Sequence, residues 1–408
     1  MTSADPFWRV VRPDKWPDPP TRFSYSALKE IETCPRRWAL ARGDYSASLG
    51  RKGYPRKPRK GTLAGEVAHL ALQKIAMALQ AAGCVGPDDP AVVAALRGLG
   101  GLSAVLESCA VEVMGAAASN PRVAHRMEHL RSDLIRRLPE LRHVVQGALQ
   151  RIFGVTPPIV PIHRWETRSA EGSKREALQP GFHAEVELAP RQLPWVGWAD
   201  VIKLTAESCE IIDYKTGVEE PAHFEQLRIY ALLWLRDEEL NPERRPATNL
   251  TVVYPGTTYT VAPPSPSEIK DLEDELERRA DTGRAALLGR PPRASVGADA
   301  CRFCDVKHLC DDYWTPLGQQ LVREASLPAV RSVQVEVLEP RGAHSWTVVV
   351  DLDPYLAAGT RALLTAQEML SLKEGHSIRL VDAWIPDQTE DGLPAIRLGS
   401  NSEIYRLS

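Results

Sequence analysis

Residues 197–204 (GWADVIKL) and 210–215 (EIIDYK) carry two aspartates and a lysine along two apolar runs. Asp213 and Lys215 are two positions apart, so on an extended strand both side chains leave the same face and enter one cleft. Asp200, ending or following the neighbouring run, supplies a second carboxylate. Two carboxylates can hold a hard divalent cation such as Mg2+, which takes oxygen ligands and keeps several waters. An ammonium beside them can orient a water and stabilise charge developing on a phosphate. Acid, acid and lysine is the set that phosphodiester hydrolysis asks for, although D-x-K alone also reads as a surface ion pair at a strand end. A second concentration of chemistry lies further on, where Cys301, Cys304 and Cys310 form C-x2-C-x5-C in CRFCDVKHLC. Cys34 stands in ETCPRRW, while Cys84, Cys109 and Cys209 are isolated in apolar or mixed settings and read as buried, inert thiols.

The elements that must position these residues are short strands and a few helices. VELAP, GWADVIKL and EIIDYK are rich in β-formers and separated by turns, so they read as adjacent strands of one sheet, in a texture that begins near Pro157. HFEQLRIYALLWL then reads as an amphipathic helix, NLTVVYP as a strand, and SEIKDLEDELERRADTGRAALLG as a long charged helix before the cysteines. Upstream, residues 1–20 read as an extended surface segment, and Ser26 reads as the N-cap of a helix over ALKEIETC that ends or kinks at Pro35. GTLAGEVAHLALQKIAMALQ is helical in period, with Leu63, Val67, Leu70 and Ile75 as core positions, and residues 85–160 read as a helical insertion. Residues 325–408 are strand after strand, with one short helix expected near TRALLTAQEML. That pattern predicts a separate small all-β domain, OB-like in length and strand density, appended to an α/β domain over residues 21–320.

The chain has 408 residues, 43% hydrophobic and 25% charged. It is too long for one ordinary core and too apolar for wholesale disorder. No run of eighteen apolar residues occurs, and the Met1 end carries Asp5, Pro6 and Trp8 in place of an apolar h-region. The expectation is a cytoplasmic protein with no membrane span. A disulfide framework is not expected of its seven cysteines. The net charge of −3 averages unlike parts: residues 1–60 hold fourteen Lys and Arg against six Asp and Glu, residues 321–408 eight against twelve. The excess is densest in RKGYPRKPRK, where Arg51, Lys52, Arg56, Lys57, Arg59 and Lys60 surround Tyr54 and where Gly53, Pro55 and Pro58 forbid a regular helix. Such a loop is either simply solvated or a phosphate contact that gains affinity by releasing counterions from nucleic acid.

Taken in order, these motifs resemble the PD-(D/E)XK nuclease superfamily, in its RecB-type branch. That branch is typified by G-x-x-D, then a strand ending D-x-K-T-G, then a Q-x-x-x-Y helix. Gly197 and Asp200, Asp213 to Gly217, and Gln226 with Tyr230 correspond, and Gly65 with His69 match its upstream G-x-x-x-H. The resemblance implies a restriction-endonuclease-like α/β core over about residues 21–315, with the helical insertion inside it. It implies Mg2+ or Mn2+ held by His69, Asp200, Asp213 and an upstream acid, Glu185 or Glu187 with Glu185 ranked first. Lys215 would position the attacking water, and Gln226 and Tyr230, one helical turn apart, would line the cleft. Iron–sulfur members of the branch, including AddB-type nucleases and CRISPR adaptation nucleases, pair an S-x-S…C-P-R cysteine with a later C-x2-C-x5-C. SYSALKEIETCPRRW and CRFCDVKHLC match at both ends, so the resemblance implies a [4Fe–4S] cluster on Cys34, Cys301, Cys304 and Cys310. Four thiolates also suit structural zinc. Ala199 before Asp200 and the missing proline of the superfamily's name are departures from the pattern.

The implied activity is metal-dependent hydrolysis of DNA, an exonuclease reading, on single strands or ends in repair, recombination or phage- and CRISPR-related antiviral defence. The alternative is a non-catalytic, cluster- or zinc-clasped nucleic-acid scaffold. No G-x-x-x-x-G-K-[ST] occurs, so any helicase motor is a partner, with the C-terminal domain as a docking site for it or for another protein. His163, His183, His223 and His308 read as packing residues, as do Trp195 and Trp198. Arg36 and Arg37 read equally as cluster neighbours or phosphate contacts. Trp346, Tyr355, Trp384 and Tyr405 read as barrel core or as a base-stacking set.

Overall fold

The computed structural model describes residues 7–84, 89–123, 126–153, 175–323, 329–367, 370–386, 389–390 and 392–407. The first six residues, Pro157, His163 and the expected boundary near residue 325 lie outside them. Strand β1 (Phe7–Arg9) precedes helices α1 (Tyr25–Thr33) and α2 (Pro35–Arg42), a small hairpin of β2 (Asp44–Tyr45) and β3 (Arg51–Lys52) around the single turn α3 (Ser46–Leu49), and the long α4 (Lys60–Ala81). Ser24, not Ser26, caps α1: its hydroxyl accepts the Ala27 N–H at 3.2 Å, and Ser26 is already inside the first turn. Pro35 opens α2 with a preset φ but excludes helical backbone from the residue before it, so Cys34 forms an extended corner between two helices.

Helices α5 (Pro90–Gly98), α6 (Gly101–Ala118) and α7 (Met127–Phe153) make the insertion. Leu63, Val67 and Ile75 of α4 are buried against them as the period requires, while Leu70 is only half-buried. The stretch Pro90–Ala118 is apolar, with a mean hydropathy of 1.4 over its richest window. It is broken at Gly100 and Gly101, both at positive φ, and α6 turns Val105, Leu106 and Cys109 into the α4–α7 core.

The central sheet is β4 (Gly181–Leu188), β5 (Gly197–Leu204), β6 (Cys209–Tyr214), β7 (Asn249–Val253) and β8 (Thr258–Val261), in that spatial order. Only β6 and β7 are parallel, and α8 (Pro221–Arg236) supplies the crossover such a pair needs. Period-2 alternation splits each strand between two layers. Val201, Ile212 and Val253 face α4 and the insertion, whereas Ile202, Ile211 and Val252 face α8, α1 and α9 (Pro266–Ala286). Helix α9 starts with a capping box of Ser265 and Glu268. This is an α/β/α arrangement with the D-x-K strand at its centre.

After α10 (Ala298–Arg302), a 3-10 turn at Lys307–Leu309 and α11 (Pro316–Leu321), the remaining strands are β9 (Val330–Gly342), β10 (Ser345–Leu352), β11 (Arg361–Ala366), β12 (Ser377–Trp384), β13 (Thr389–Glu390), β14 (Leu393–Leu398) and β15 (Glu403–Arg406). The short helix expected near residue 361 is instead β11. Its alanine and leucines favour helix in isolation, but β10 on one side and a parallel β14 on the other supply a full ladder. Pairing runs β9–β10–β11–β14–β12–β9, closed by the single pair Trp384 and Arg397, which makes a five-stranded, partly open barrel of the kind expected. The barrel is not set apart as expected. Strand β1 pairs in parallel with β15, so residues 7–9 are an edge of the last sheet. Leu40, Tyr45 and Tyr54 share a core with Leu309, Trp314, Val381 and Tyr405.

Candidate active site

Each site residue is brought in by a local feature of its element. At Gly65 an added Cβ would lie 3.0 Å from Thr216 Oγ1, so this glycine lets α4 press against the turn that follows β6. His69 is one helical turn further on and shares that face. At Gly197 an added Cβ would lie 2.6 Å from the Tyr230 ring, so the glycine of G-x-x-D makes room for Tyr230 over β5. The β4–β5 ladder pairs Ala184 with Val201 and Val186 with Ala199, which sets Glu185 opposite Asp200. Glu185 has φ of 52°, a sparsely populated conformation for a residue with a side chain, and such strain gathers at functional sites.

Donor atoms of His69, Glu185 and Asp200 lie within 4.8 Å of one another. His69 Nδ1 is 3.8 Å from Asp200 Oδ1, and Asp200 Oδ2 accepts the Tyr214 N–H at 2.5 Å. Immediately after β6, Lys215 Nζ sits 2.7 Å from Asp213 Oδ2 and donates to Gln226 Oε1 at 3.0 Å. The Gln226 side-chain amide donates in turn to the Tyr230 hydroxyl. Asp213, Lys215, Gln226 and Tyr230 thus form one polar chain beside the His69–Glu185–Asp200 group. Glu187 is exposed and outside that group.

The electrostatics of this cleft are uncompensated. Burial raises the Asp200 carboxyl to about 7 against the opposing pull of the Tyr214 N–H and Lys215. Burial and the nearby Asp200 raise Asp213 to about 6, with Lys215 opposing. Glu185 is raised by burial and by Asp213, and His69 is lowered by burial despite Asp213. Carboxylates that resist ionisation together, beside a neutral imidazole, form the donor set that a hard divalent cation stabilises. The residues present therefore fit such an ion.

The cysteines converge as well. Cys34, Cys301, Cys304 and Cys310 line one small cavity together with Arg36, Arg37 and Lys307. Burial pushes Cys301 up, Cys304 up to about 12 and Cys310 up to about 11, so the thiolates need a bound cation to form. The Ser295 N–H points at Cys34 Sγ from 3.4 Å. Of the two readings of Arg36, the cavity wall is where it lies, tied to the Pro292 carbonyl at 2.6 Å and to Asp312 at 3.0 Å. Cys84, Cys109 and Cys209 are buried elsewhere, as expected.

The basic loop divides. Arg51, Lys52 and Arg56 are exposed. Lys57 is not a solvated or phosphate-facing residue: it is buried, with Nζ 2.7 Å from Asp382 Oδ2 and 3.4 Å from Glu403 Oε2. Arg59 pairs with Asp305 and Lys60 with Asp133. Trp195 is packed as expected, but Trp198 is 47% exposed. Its place two residues before Asp200 puts it on the carboxylate's strand face, a signal that spacing alone carried. Arg122 and Arg126, buried between the insertion and the barrel, were not singled out from sequence; they lie in the polar stretch NPRVAHR, whose partners are about 280 residues away.

A family model of the PD-(D/E)XK nuclease superfamily matches residues 22–311, more than half of the chain. The chain belongs to the PD-(D/E)XK nuclease superfamily. No protein of curated function matches it. Among solved structures, one described as a murine DNA binding protein bound with double-stranded DNA is similar at 8% identity, over 56% of this chain and 95% of that chain, with a TM-score of 0.17. A likeness at that score carries no argument.

Proposed function

We propose that the protein is a Mg2+- or Mn2+-dependent deoxyribonuclease of the RecB-type branch, acting on DNA strands or ends. The observation that carries this reading is the convergence of His69, Glu185 and Asp200 within 4.8 Å, beside an Asp213–Lys215 pair held by Gln226. His69, Glu185, Asp200 and Asp213 would hold the cation, which when bound supplies Lewis acidity toward a phosphodiester oxygen. Lys215 presents its ammonium to the same cleft, where it orients water and offsets negative charge developing on the phosphate. Gln226 fixes that ammonium through its carbonyl, and Tyr230 fixes Gln226. The test is cleavage of a labelled oligonucleotide in Mg2+ or Mn2+ by wild type, Lys215→Ala and Asp213→Asn. Each substitution is expected to lower the rate at least 100-fold, the scale of losing an electrostatic stabiliser. Wild-type rates in both variants would remove the assignment.

The same reading gives the four cysteines a [4Fe–4S] cluster, which would tie the corner at Cys34 to the segment following α9. The support is their shared cavity and its three cationic neighbours. Anaerobically purified protein is expected to be brown, with iron and sulfide in equal amounts. A colourless protein containing zinc would overturn the cluster and leave the nuclease assignment intact.

A further inference from the structure

A cleft of about 470 Å3 opens where the basic loop, the cysteine segment and the barrel meet. It lies outside the carboxylate site, and seven of its lining side chains are cationic against one carboxylate, Asp382. Five of the seven have acidic partners: Lys57 and Lys307 share Asp382, Arg331 takes Asp353, Arg59 takes Asp305 and Lys60 takes Asp133. Arg126 and Arg302 have no ion pair within 4.0 Å among the described residues. Arg126 is 2% exposed; it donates to the Pro58 carbonyl and to Asn401 Oδ1, while its buried Nε has no hydrogen-bond partner. Glu403 and Asp382 act on this guanidinium without contacting it, and burial still outweighs them; a buried N–H left unspent is costly unless an anion or a water reaches it.

Aromatic rings interleave with this charge. Phe303, 55% exposed, lies under the guanidinium groups of Arg59 and Arg302 at 4.9 and 5.3 Å. Tyr355 lies under those of Arg323 and Arg331 at 5.4 and 5.2 Å. Alternating cations and π-faces in a groove of nucleotide scale is how proteins hold single strands, with phosphates on the cations and bases stacked on rings or guanidinium planes. A duplex keeps its bases stacked on one another and offers only its outside. Lys60, which lines the cleft, begins α4, and His69 follows nine residues later, about 13.5 Å along the axis. That span is about four stacked nucleotide steps.

We propose that this cleft is a binding site for single-stranded nucleic acid, delivering a strand along α4 to the carboxylate site. The delivery rests on the nuclease reading; the binding does not. The barrel wall of the cleft includes the β10–β11 connection, with Tyr355, a different place from the strand face and loops that OB-folds ordinarily use.

The test uses the full chain in excess EDTA and a fluorescein-labelled oligothymidylate of about 15 nucleotides, read by anisotropy. Unlabelled duplex of equal length and inorganic phosphate serve as competitors. The single strand is expected to bind more tightly than the duplex, and phosphate at the oligonucleotide's nucleotide concentration is not expected to displace it. Arg302→Glu and Phe303→Ala, both at exposed positions, are each expected to weaken binding about tenfold, the scale of one stacked base. Arg302→Ala is expected to shallow the plot of log affinity against log salt by about 0.7. Wild-type affinity and slope in all three variants would overturn the proposal, as would preference for the duplex or displacement by phosphate alone. Lys215→Ala separates the two readings: binding kept with cleavage lost supports both, whereas a wild type that binds in EDTA but never cleaves removes only the nuclease.

Discussion

Two buried clusters of charge in this protein are built on opposite terms. In the carboxylate cleft, Asp200 and Asp213 are raised to about 7 and about 6, because burial is not matched by enough positive charge. At the seam between the insertion, the basic loop and the barrel, Glu403 is equally buried, yet it lies at about 2. Burial alone would raise it, but Arg122, bound through Nε at 2.9 Å and Nη2 at 2.8 Å, and Lys57 outweigh that effect. Glu403 is matched by partners within the chain; the carboxylate cleft is left short of one cation. That difference separates a structural cluster from a site awaiting a ligand, and it sets the sign of every substitution in either place.

The largest expected effect breaks the seam. Arg122→Ala leaves Glu403 buried without its bidentate partner, with Lys57 alone to balance it, and removing one member of a buried pair costs about 3–5 kcal/mol. Urea unfolding should show this as a lower midpoint at unchanged slope. A cost under about 1 kcal/mol would place the seam in the class of surface pairs and undo the contrast.

The next effect has the opposite sign. Asp200→Asn relieves a carboxylate that the cleft disfavours, so without metal the variant should be more stable than wild type at pH 8, on the order of 1–3 kcal/mol. With Mn2+ the order should reverse, since wild type alone gains binding energy from the ion. A variant destabilised in EDTA would mean that the Tyr214 N–H bond outweighs the desolvation of Asp200.

The same pair of clusters titrates in opposite directions. Asp200 and Asp213 have folded values above their ordinary 3.8, so their contribution to stability is full below about 3.8 and is lost as pH rises through about 6 and 7. Glu403 has a folded value below its ordinary 4.5, so its contribution is full above about 4.5 and is lost as pH falls through about 2. Buried histidines held neutral, His308 above all, lose stability as pH falls below about 6.5, so the cleft is read as a difference between two proteins. Without metal, the excess stability of Asp200→Asn over wild type is expected to shrink from pH 8 to pH 5, and both proteins should lose stability alike below pH 4. An excess that stays constant from pH 8 to pH 5 would contradict the uncompensated cleft.

The cleft was far more legible in the sequence than the seam. Asp200, Asp213, Lys215, Gln226 and Tyr230 fall within a 31-residue stretch, and strand and helix periods alone place them on shared faces. The central strands, α8 and α9 were legible for the same reason. The seam joins Lys57, Arg122 and Glu403, which no local period connects, and its partners are fixed only when β1 pairs with β15 and Tyr54 packs against the barrel. Strand β11 was misread because its alanine and leucines state a helical preference that two neighbouring strands override. The exposed Trp198 was misread because a tryptophan beside a buried glycine suggests packing, although its two-residue offset from Asp200 already gave its face.

The smallest expected effect concerns Glu185 and Glu187, which sequence could only rank. On an undistorted strand both would leave the same face, so period cannot choose between them. In the fold, Glu185 takes φ of 52° opposite Asp200 and joins His69, while Glu187 is exposed. Glu187→Gln should shift stability by no more than about 0.5 kcal/mol, as surface changes do, and leave Mn2+ affinity unaltered. Glu185→Gln should weaken Mn2+ binding, measured by calorimetry, while stabilising the metal-free protein slightly by removing a carboxyl that burial and Asp213 already hold up. Equal Mn2+ affinity in the two variants would show that the strained backbone at Glu185 serves something other than the cation, and the contrast between a matched Glu403 and a cation-short cleft would then rest on Asp200 and Asp213 alone.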